Sequence, residues 1–401
     1  MHKTIASAWA LFLGIALMMM CNALQGTLLG VRADAEGFST AVTGMVMMGY
    51  FAGLLAGSLL SPRAVAAVGH IRVYAALSAL ASTAVLLHAV FIEPWVWGGL
   101  RFVTGVCYAG LYVVVESWLN DLASNEIRGR LLSLYMVVTM LAMAGGQYLL
   151  TLAPPGGYTA FILASALVSL AAIPMCLSAN PAPAFKATEP LGLRDLYRIS
   201  PLGFVGALGV GMAHASFYGM GAVYANRIGL PLALVSTFMA VPTLGGMLSQ
   251  WPLGWLSDRW DRRRVITLIT FLAAAVAALA GLVGQHSVPL LLACMGLFGV
   301  FSLPLYSLNI AHTNDHLRPE QMVAACSTLV LVYSLGAVLG PMVAGQVMER
   351  LGSDSYFGWL AGIHAAIGLF AVYRMARRSA PAPSAPLARP LFCDPGGEGR
   401  E

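Results

Sequence analysis

The stretch GVCYAGLYVVVESWLND, residues 105–121, aligns without gaps to GVFSLPLYSLNIAHTND, residues 299–315. Six of the seventeen positions are identical, and the two stretches lie 194 residues apart. Other residues repeat at offsets of 195 or 197, namely Gly14/Gly209, Gly26/Gly221, Arg32/Arg227, Ser39/Ser236, Thr40/Thr237, Gly49/Gly246 and Gly57/Gly254. A repeat of this length predicts two duplicated halves that share one topological sense.

The composition indicates that both halves lie in a membrane. Of the 401 residues, 59% are apolar and only 10% are charged, whereas soluble domains carry about 25% charged residues. Apolar runs of roughly 20 residues recur, which is the length that crosses about 30 Å of hydrocarbon as a helix. The runs lack the alternation of barrel strands. We therefore predict an all-α membrane protein with twelve transmembrane helices in two pseudo-symmetric six-helix bundles.

Spans are predicted at residues 8–30, 40–61, 73–92, 95–117, 131–152, 157–178, 201–225, 233–256, 265–284, 288–310, 324–348 and 356–374. Residues 179–199 form the longest polar stretch between spans, contain Pro181, Pro183 and Pro190, and are typical of a linker. The predicted domains are an N-terminal bundle (1–178), a cytoplasmic linker (179–199), a C-terminal bundle (200–378) and a tail (379–401). Pro and Gly dominate the tail, so we expect it to be disordered.

The basic residues predict the orientation. With the N-terminus inside, cytoplasmic segments hold 18 of the 22 Lys and Arg residues. The positive-inside rule then places both termini on the cytoplasmic side of the membrane, which we expect to be a bacterial inner membrane. Five of the six cysteines lie in apolar runs, which favours neither a disulfide framework nor a metal site. The first apolar run has Met20 before Cys21, and we expect it to be an uncleaved first helix.

The segment GWLSDRWDRRRV at 254–265, between spans 8 and 9, resembles the cytoplasmic loop signature of the major facilitator superfamily. The matching positions are Gly254, Asp258, Arg259, Arg262, Arg263 and Arg264. RFVTG at 101–105 is similar to the family's arginine motif on span 4, and ESWLND at 116–121 with IRGR at 127–130 resembles the poorly characterised YcaD-like branch. The resemblance implies a transporter with Gln250 and Tyr333 in its cavity. The equivalent loop of the first half has Ser61 where the family usually has an acid.

Asp258 is the candidate for a contact that joins the two halves at the cytoplasmic side, which we call the latch. A helix N-terminus carries about half a positive charge, so an acid at the end of span 8 can dock onto a helix start in the other half. The family's pseudo-symmetry implies span 5 as the partner, whose first turn and preceding loop carry Arg128 and Arg130. We expect this latch to be closed when the cavity opens outward. The alternative is that these arginines serve topology alone.

One face of span 4 is polar. Arg101, Tyr108, Tyr112 and Glu116 follow helical spacing, and a charge facing lipid is costly, so the face should border a cavity between the halves. The alternative for Arg101 is a structural pair near the outer interface. Glu116 falls about 31 Å from the start of the span at 1.5 Å per residue. We therefore expect it at the cytoplasmic interface, paired with Arg128 or Arg130.

The same helical rise places polar residues of spans 1 and 7 at the level of Arg101. Asn22 and His214 share that level, and Gln25 and Tyr218 lie one turn higher. The predicted cavity residues are Asn22, Gln25, Arg101, Tyr108, Tyr112, His214, Tyr218, Gln250 and Tyr333. His214 either carries a coupling proton or is simply hydrogen-bonded. Gly336, Gly340 and Gly345 are predicted to allow close helix packing.

The predicted function is a secondary active transporter of a small anionic or neutral solute, working by alternating access and coupled to protons. Two alternatives remain: an efflux antiporter for drugs or metabolites, and a non-transporting sensor or assembly factor with the same fold. We expect no enzymatic activity, because no nucleophile and base share one depth. No cofactor or metal is expected. The expected partners are a small-molecule substrate, protons and the lipid bilayer, with no nucleic acid, and the chain is expected to be a monomer.

Overall fold

A computed structural model of the chain describes residues 9–122, 128–153, 155–177, 191–284 and 286–377. The first half consists of α1 (Trp9–Ala35), α2 (Thr40–Val68), α3 (His70–Val90), α4 (Pro94–Leu122), α5 (Arg128–Tyr148) and α6 (Thr159–Cys176). After the short α7 (Leu193–Ile199), the second half consists of α8 (Pro201–Arg227), α9 (Leu232–Arg259), α10 (Arg262–Val283), α11 (Val288–Ser302), α12 (Leu305–Asn314), α13 (Pro319–Leu351) and α14 (Ser355–Arg377). Within the described residues there are twelve helical segments long and apolar enough to cross a membrane. The predicted twelve-span helical fold is confirmed.

The duplication is visible in the way the first helix of each half ends. At the end of α1, Gly37 N–H donates to Asp34 O and Phe38 N–H donates to Ala33 O. At the end of α8, Gly229 and Leu230 donate to Asn226 and Ala225 in the same pattern. Both glycines have a φ of +79°, a conformation that costs glycine little and other residues more. The same capping motif therefore ends equivalent helices in both halves.

Proline shapes two spans differently from the prediction. The tenth span was predicted as one helix over 288–310, but it consists of α11 and α12, which are separated at Leu303 and Pro304. Pro304 has no N–H for the helical ladder, and its ring clashes with the preceding turn. By contrast, α2 continues through Pro62 to Val68, beyond the predicted end at residue 61.

Glycines bring the helices of each half close together. A Cβ on Gly336 would meet Leu208 O, and one on Gly340 would meet Met212 O, both on α8. A Cβ on Gly345 would meet the backbone of α2. The predicted packing role of these three glycines is confirmed, and Gly345 brings helices of different halves together.

The two halves meet through helix pairs that the duplication makes equivalent. In one pair α2 packs against α13, and in the other α5 packs against α9. The first helices of the halves, α1 and α8, also contact one another. We call the end of the bundle with Arg262–Arg264 the basic face, and the end with the loops at 36–39 and 228–231 the opposite face.

The linker is partly described. Residues 191–199 contain α7, whose Leu196 packs into a small cluster with Ala207 and Leu329 of the second half. Thr328 also donates a hydrogen bond to Leu191 O at 2.6 Å. The described end of the linker therefore docks onto the C-terminal bundle. The rest of the predicted linker and the predicted tail at 379–401 lie outside the described residues, as do residues 1–8.

Candidate functional site

A cavity of about 180 Å³ lies between the two halves. Its walls come from α1, α2, α4 and α5 on one side and from α8, α9 and α13 on the other. The predicted cavity residues that line it are Asn22, Arg101, Tyr112, Tyr218 and Tyr333. Residues from both halves must therefore be in place for this site to form.

Arg101 is the charged group of the cavity wall. The residue is 3% exposed, and its Cζ lies 4.3 Å from the ring centroid of Tyr50. Nε and Nη1 have no hydrogen-bond partner. Among the described residues, Arg101 takes part in no ion pair. Because an uncompensated buried charge costs several kcal/mol, this guanidinium is suited to an incoming acceptor or anion.

Tyr108 and Gln25 do not line the cavity, although they were predicted to. Tyr108 is fully buried, and its hydroxyl donates to Met18 O at 3.4 Å. Gln25 is also fully buried, with no partner for its amide nitrogen or oxygen. Both side chains are buried among packed helices. Helical spacing predicts the height of a residue in the membrane, but not the direction in which its side chain points.

His214 lies directly behind the cavity wall. Its Nε2 is 3.1 Å from Ser302 O, and its Nδ1 is 3.2 Å from the hydroxyl of Tyr333. A carbonyl oxygen can only accept, so Nε2 carries the hydrogen and Tyr333 donates to Nδ1 when the ring is neutral. Ser302 Oγ lies 2.9 Å from Nε2 of His364. His214 therefore reaches the cavity through Tyr333.

Gln250 is half-buried on α9 and does not contribute to the cavity wall. This residue was placed in the cavity by the position of its equivalent in the family. It lies more than two turns along α9 from Met239, which does line the cavity. The prediction therefore put Gln250 too close to the site.

Several wall residues were missed by the sequence analysis. Gln147 of α5 accepts a hydrogen bond from Thr27 of α1, and both side chains line the cavity. Tyr50 lies against Arg101, and Ser334 follows Tyr333 on α13. A glutamine in the apolar run of span 5 was the available signal for Gln147, since polar groups inside a membrane usually face a partner or a cavity.

Asp258 and its neighbours form an ion-pair cluster at the basic face. Arg262 contacts Asp258 at 2.8 Å and Asp315 at 3.2 Å. Burial raises the pKa of Asp315 above its ordinary value despite the nearby charge of Arg262. Arg259 stacks over Trp255, with its Cζ 3.8 Å from the ring centroid. The loop after α9 is thus tied to α12 within its own half.

Asp261 supplies the cap of α10. Its side chain accepts a hydrogen bond from the backbone N–H of Arg263 at 3.0 Å, and the Arg263 guanidinium lies within 3.3 Å. Burial alone would raise the pKa of Asp261, but these hydrogen bonds and the charges of Arg263 and Arg264 hold it below its ordinary value. This acid fixes the start of α10 and thereby the shape of the loop.

The predicted partners of Asp258 and Glu116 are not the contacts found. Asp258 has a side chain that is 70% exposed and bonds Arg262, four residues along its own chain. Glu116 accepts a hydrogen bond from Tyr135 at 3.0 Å. Arg130 is exposed, and the side chain of Arg128 lies outside the described residues. Among the side chains that the structure describes, Asp258 makes no hydrogen bond or ion pair with α5.

The opposite face, in contrast, is held by contacts between the halves. Asp34 of α1 accepts hydrogen bonds from Asn226 at 2.6 Å and from Arg227 at 2.8 Å. Glu349 of α13 accepts from the backbone N–H of Thr40 at 3.0 Å and from its hydroxyl at 2.8 Å. Thr40 is the first residue of α2. An acid of one half thus docks onto a helix N-terminus of the other, the arrangement predicted for Asp258 but at the other end of the molecule.

Comparison with known proteins identifies the family. A family model described as Major Facilitator Superfamily matches residues 11–278 and 232–395. The chain belongs to the Major Facilitator Superfamily. Twelve apolar helices and bacterial transporter relatives make it a multi-pass membrane transporter of the inner-membrane type.

The descriptions of two relatives of this transporter name no substrate. An uncharacterised MFS-type transporter of Yersinia enterocolitica is 29% identical over 362 residues, which covers 88% of this chain and 92% of the relative. YcaD of Escherichia fergusonii, also described as an uncharacterised MFS-type transporter, is 27% identical over 352 residues and covers 87% of this chain and 91% of the relative. The predicted resemblance to the YcaD-like branch is confirmed.

Solved structures agree with the fold of the transporter. A mutant of the nucleoside transporter NupG superimposes with a TM-score of 0.78 at 13% identity, covering 92% of this chain and 99% of that one. A D-xylose–proton symporter superimposes with a TM-score of 0.72 at 10% identity, covering 91% and 96%. At these identities the likeness concerns the fold alone.

Proposed function

We propose that this protein is a secondary active transporter that carries a small anionic or neutral solute by alternating access, coupled to protons. The observation that supports this most is the position of Arg101, a buried and unpaired guanidinium in a cavity between two halves. A charge kept there has no evident structural partner among the described carboxylates, whereas a solute with an acceptor group would supply one.

The contacts at the two faces support alternating access. In the described part of the chain, the hydrogen bonds that join the halves lie near the opposite face, at Asp34 and Glu349 and between Tyr148 and Thr237. At the basic face Asp258 bonds a residue of its own half. We infer that the basic face is cytoplasmic, as the positive-inside rule favours, and that this conformation is closed toward the outside.

The proposed route for the coupling proton is His214 through Tyr333. Protonation of Nδ1 would turn that atom from an acceptor into a donor, so the Tyr333 hydroxyl would be released to donate into the cavity. The titratable groups nearest to His214 are Tyr333 and, behind Ser302, His364. The ring of Tyr306 packs against Tyr333 in a tilted arrangement, with centroids 4.7 Å apart. Proton binding and anion binding would then favour one another.

Transport in proteoliposomes tests the proposal. The purified chain is reconstituted, a pH gradient is imposed, and solute-dependent proton movement is followed with an internal pH dye. We expect Arg101→Gln to abolish gradient-driven transport, while Arg63→Gln, which changes an exposed arginine of α2, retains it. We also expect His214→Gln to retain solute exchange but lose the proton movement. Equal activity of Arg101→Gln and the parent would contradict the proposal.

A further inference from the structure

We propose that the cavity selects a small monoanionic carboxylate with a single aromatic or similarly flat apolar body. This inference rests on the proposed transport function and narrows its substrate class. Three features of the cavity carry it: the charge of its wall, its size, and the way in which its tyrosine hydroxyls are engaged.

The charge of the wall favours one negative charge on the ligand. Arg101 is the charged side chain among the residues that line the cavity, and no aspartate, glutamate or lysine accompanies it in the described wall. A monoanion neutralises this guanidinium in a region where charges are weakly screened. A dianion would leave one charge uncompensated, and a cation would be repelled. A carboxylate also matches the planar donor geometry of arginine.

The size of the cavity limits the body of the ligand. A volume of about 180 Å³ is smaller than the roughly 300–1,000 Å³ of typical ligand pockets. A ligand of one ring bearing a carboxylate suits this space better than a nucleoside or a disaccharide.

Three of the four tyrosines in the wall have hydroxyls that are engaged by the protein. The hydroxyl of Tyr112 donates to Met19 Sδ at 3.2 Å, that of Tyr218 lies 3.4 Å from Thr243 Oγ1, and that of Tyr333 bonds His214. Each hydroxyl is therefore engaged by the protein, and the ring edges and faces remain for contact. Such rings favour offset or edge-to-face contact with a flat ligand.

The remaining wall completes an amphipathic site. Phe51, Leu54, Met143 and Met239 add apolar surface, and methionine adapts readily to a ring. Thr27 donates a hydrogen bond to the side-chain oxygen of Gln147, and Asn22 and Ser334 add polar groups to the wall. A polar end at Arg101 and an apolar body among aromatic rings and methionines describe an aromatic monocarboxylate such as benzoate.

Thermal unfolding of the full-length chain in detergent tests this inference. The probes are benzoate, its neutral isostere benzamide, the cation benzylammonium, the dianion phthalate, and D-xylose. We expect benzoate to raise the Tm by about 2–5 °C at a hundredfold excess over its Kd, and the other probes to raise it by less than half as much. A shift with benzamide or D-xylose equal to that with benzoate would overturn the inference.

Substitutions locate the binding. Arg101→Gln is expected to weaken benzoate affinity at least about 30-fold, while Arg63→Gln leaves it unchanged. An unchanged affinity in Arg101→Gln would contradict the assignment. If Arg101→Gln does not purify as a folded protein, the comparison of benzoate with benzamide on the parent chain decides the question.

Transport measurements separate this inference from the proposed function. Benzoate that binds at Arg101 but does not move in proteoliposomes would support the ligand class and contradict the transport proposal. Gradient-driven movement of a neutral solute without benzoate binding would support transport and overturn the ligand class.

Discussion

At the scale of single residues, polar side chains inside the spans face the cavity, bond a partner or, like Gln25, do neither. A single sequence does not show which of these applies. Arg101 and Asn22 were assigned to one level from the helical rise, and both line the cavity. His214 was assigned to the same level but bonds Ser302 and Tyr333 behind the wall. Helical rise determines height, while the direction in which a side chain points depends on helix packing that a single sequence does not reveal.

The bond between Thr27 and Gln147 leads to a prediction on stability. Thr27→Val removes the hydroxyl that donates to Gln147 and leaves a buried amide oxygen unpaired. We expect a loss of about 1–3 kcal/mol, because an unsatisfied buried acceptor costs its full desolvation. Thermal unfolding in detergent measures the change. The matched control is Thr83→Val, at an exposed threonine that bonds only its own helix; an equal effect of the two substitutions would refute the role of the pair.

The cap at Asp261 predicts a dependence of stability on pH. The folded-state pKa of Asp261 lies below its ordinary value of 3.8, so its stabilisation is present above pH 3.8 and is lost as the pH falls through the lower, folded-state pKa. We expect Asp261→Asn to have a lower Tm than the parent at pH 6 and the same Tm under the most acidic conditions. A Tm difference between the two that does not change with pH would show that the charge is unimportant.

At the scale of helices, the length of the apolar runs predicted the spans, whereas the prolines did not predict where a helix breaks. The twelve spans appear where the apolar runs are, because a helix is the way to satisfy the backbone in lipid. Pro62 and Pro304 both lie in the second half of a span, yet α2 continues through Pro62 while the tenth span breaks at Pro304. Neighbouring helices decide whether a kink is tolerated, so a prolyl residue alone did not predict the outcome.

The close approach of α2 and α13 at Gly345 leads to a prediction on the closure of the opposite face. A side chain at this position would collide with the backbone at Thr40 and Gly44. We expect Gly345→Leu to prevent closure of the opposite face, to increase labelling of cysteines introduced there, and to reduce transport at least tenfold. Gly362→Leu is the control, since nothing lies within 4 Å of its Cβ position on α14. Unchanged labelling in Gly345→Leu would contradict a tight contact at this point.

The hydrogen bonds of Glu349 lead to a related prediction, in which the opposite face opens more often but still closes. Its carboxylate accepts two hydrogen bonds from Thr40 at the start of α2, where the helix dipole favours a negative charge. We expect Glu349→Gln to shift the population toward an open opposite face without loss of folding. Distances between spin labels on the loops at 36–39 and 228–231 measure this shift. A distance distribution identical to that of the parent would exclude Glu349 from the closure.

At the scale of the whole molecule, the two halves differ in chemistry although their backbones repeat. The first half supplies Arg101 to the cavity wall. The second supplies Tyr218 and Tyr333, and Tyr333 is hydrogen-bonded to His214. The halves contact one another at the opposite face through Asp34 and Glu349. The duplicated architecture was predictable from the repeat at 105–121 and 299–315, whereas the closed opposite face was not, since contacts between halves leave no mark in a single sequence.

The central claim is that the halves must separate at the opposite face for a solute to reach Arg101 from outside. The most direct measurement is benzoate-coupled transport by Asp34→Cys/Arg227→Cys in a background lacking the six native cysteines, before and after a short reversible thiol cross-linker joins the two positions. The control is Arg32→Cys/Glu36→Cys, a pair within one half. The account predicts that cross-linking abolishes transport in the first pair alone and that reduction restores it; undiminished transport by the cross-linked Asp34→Cys/Arg227→Cys protein would contradict it.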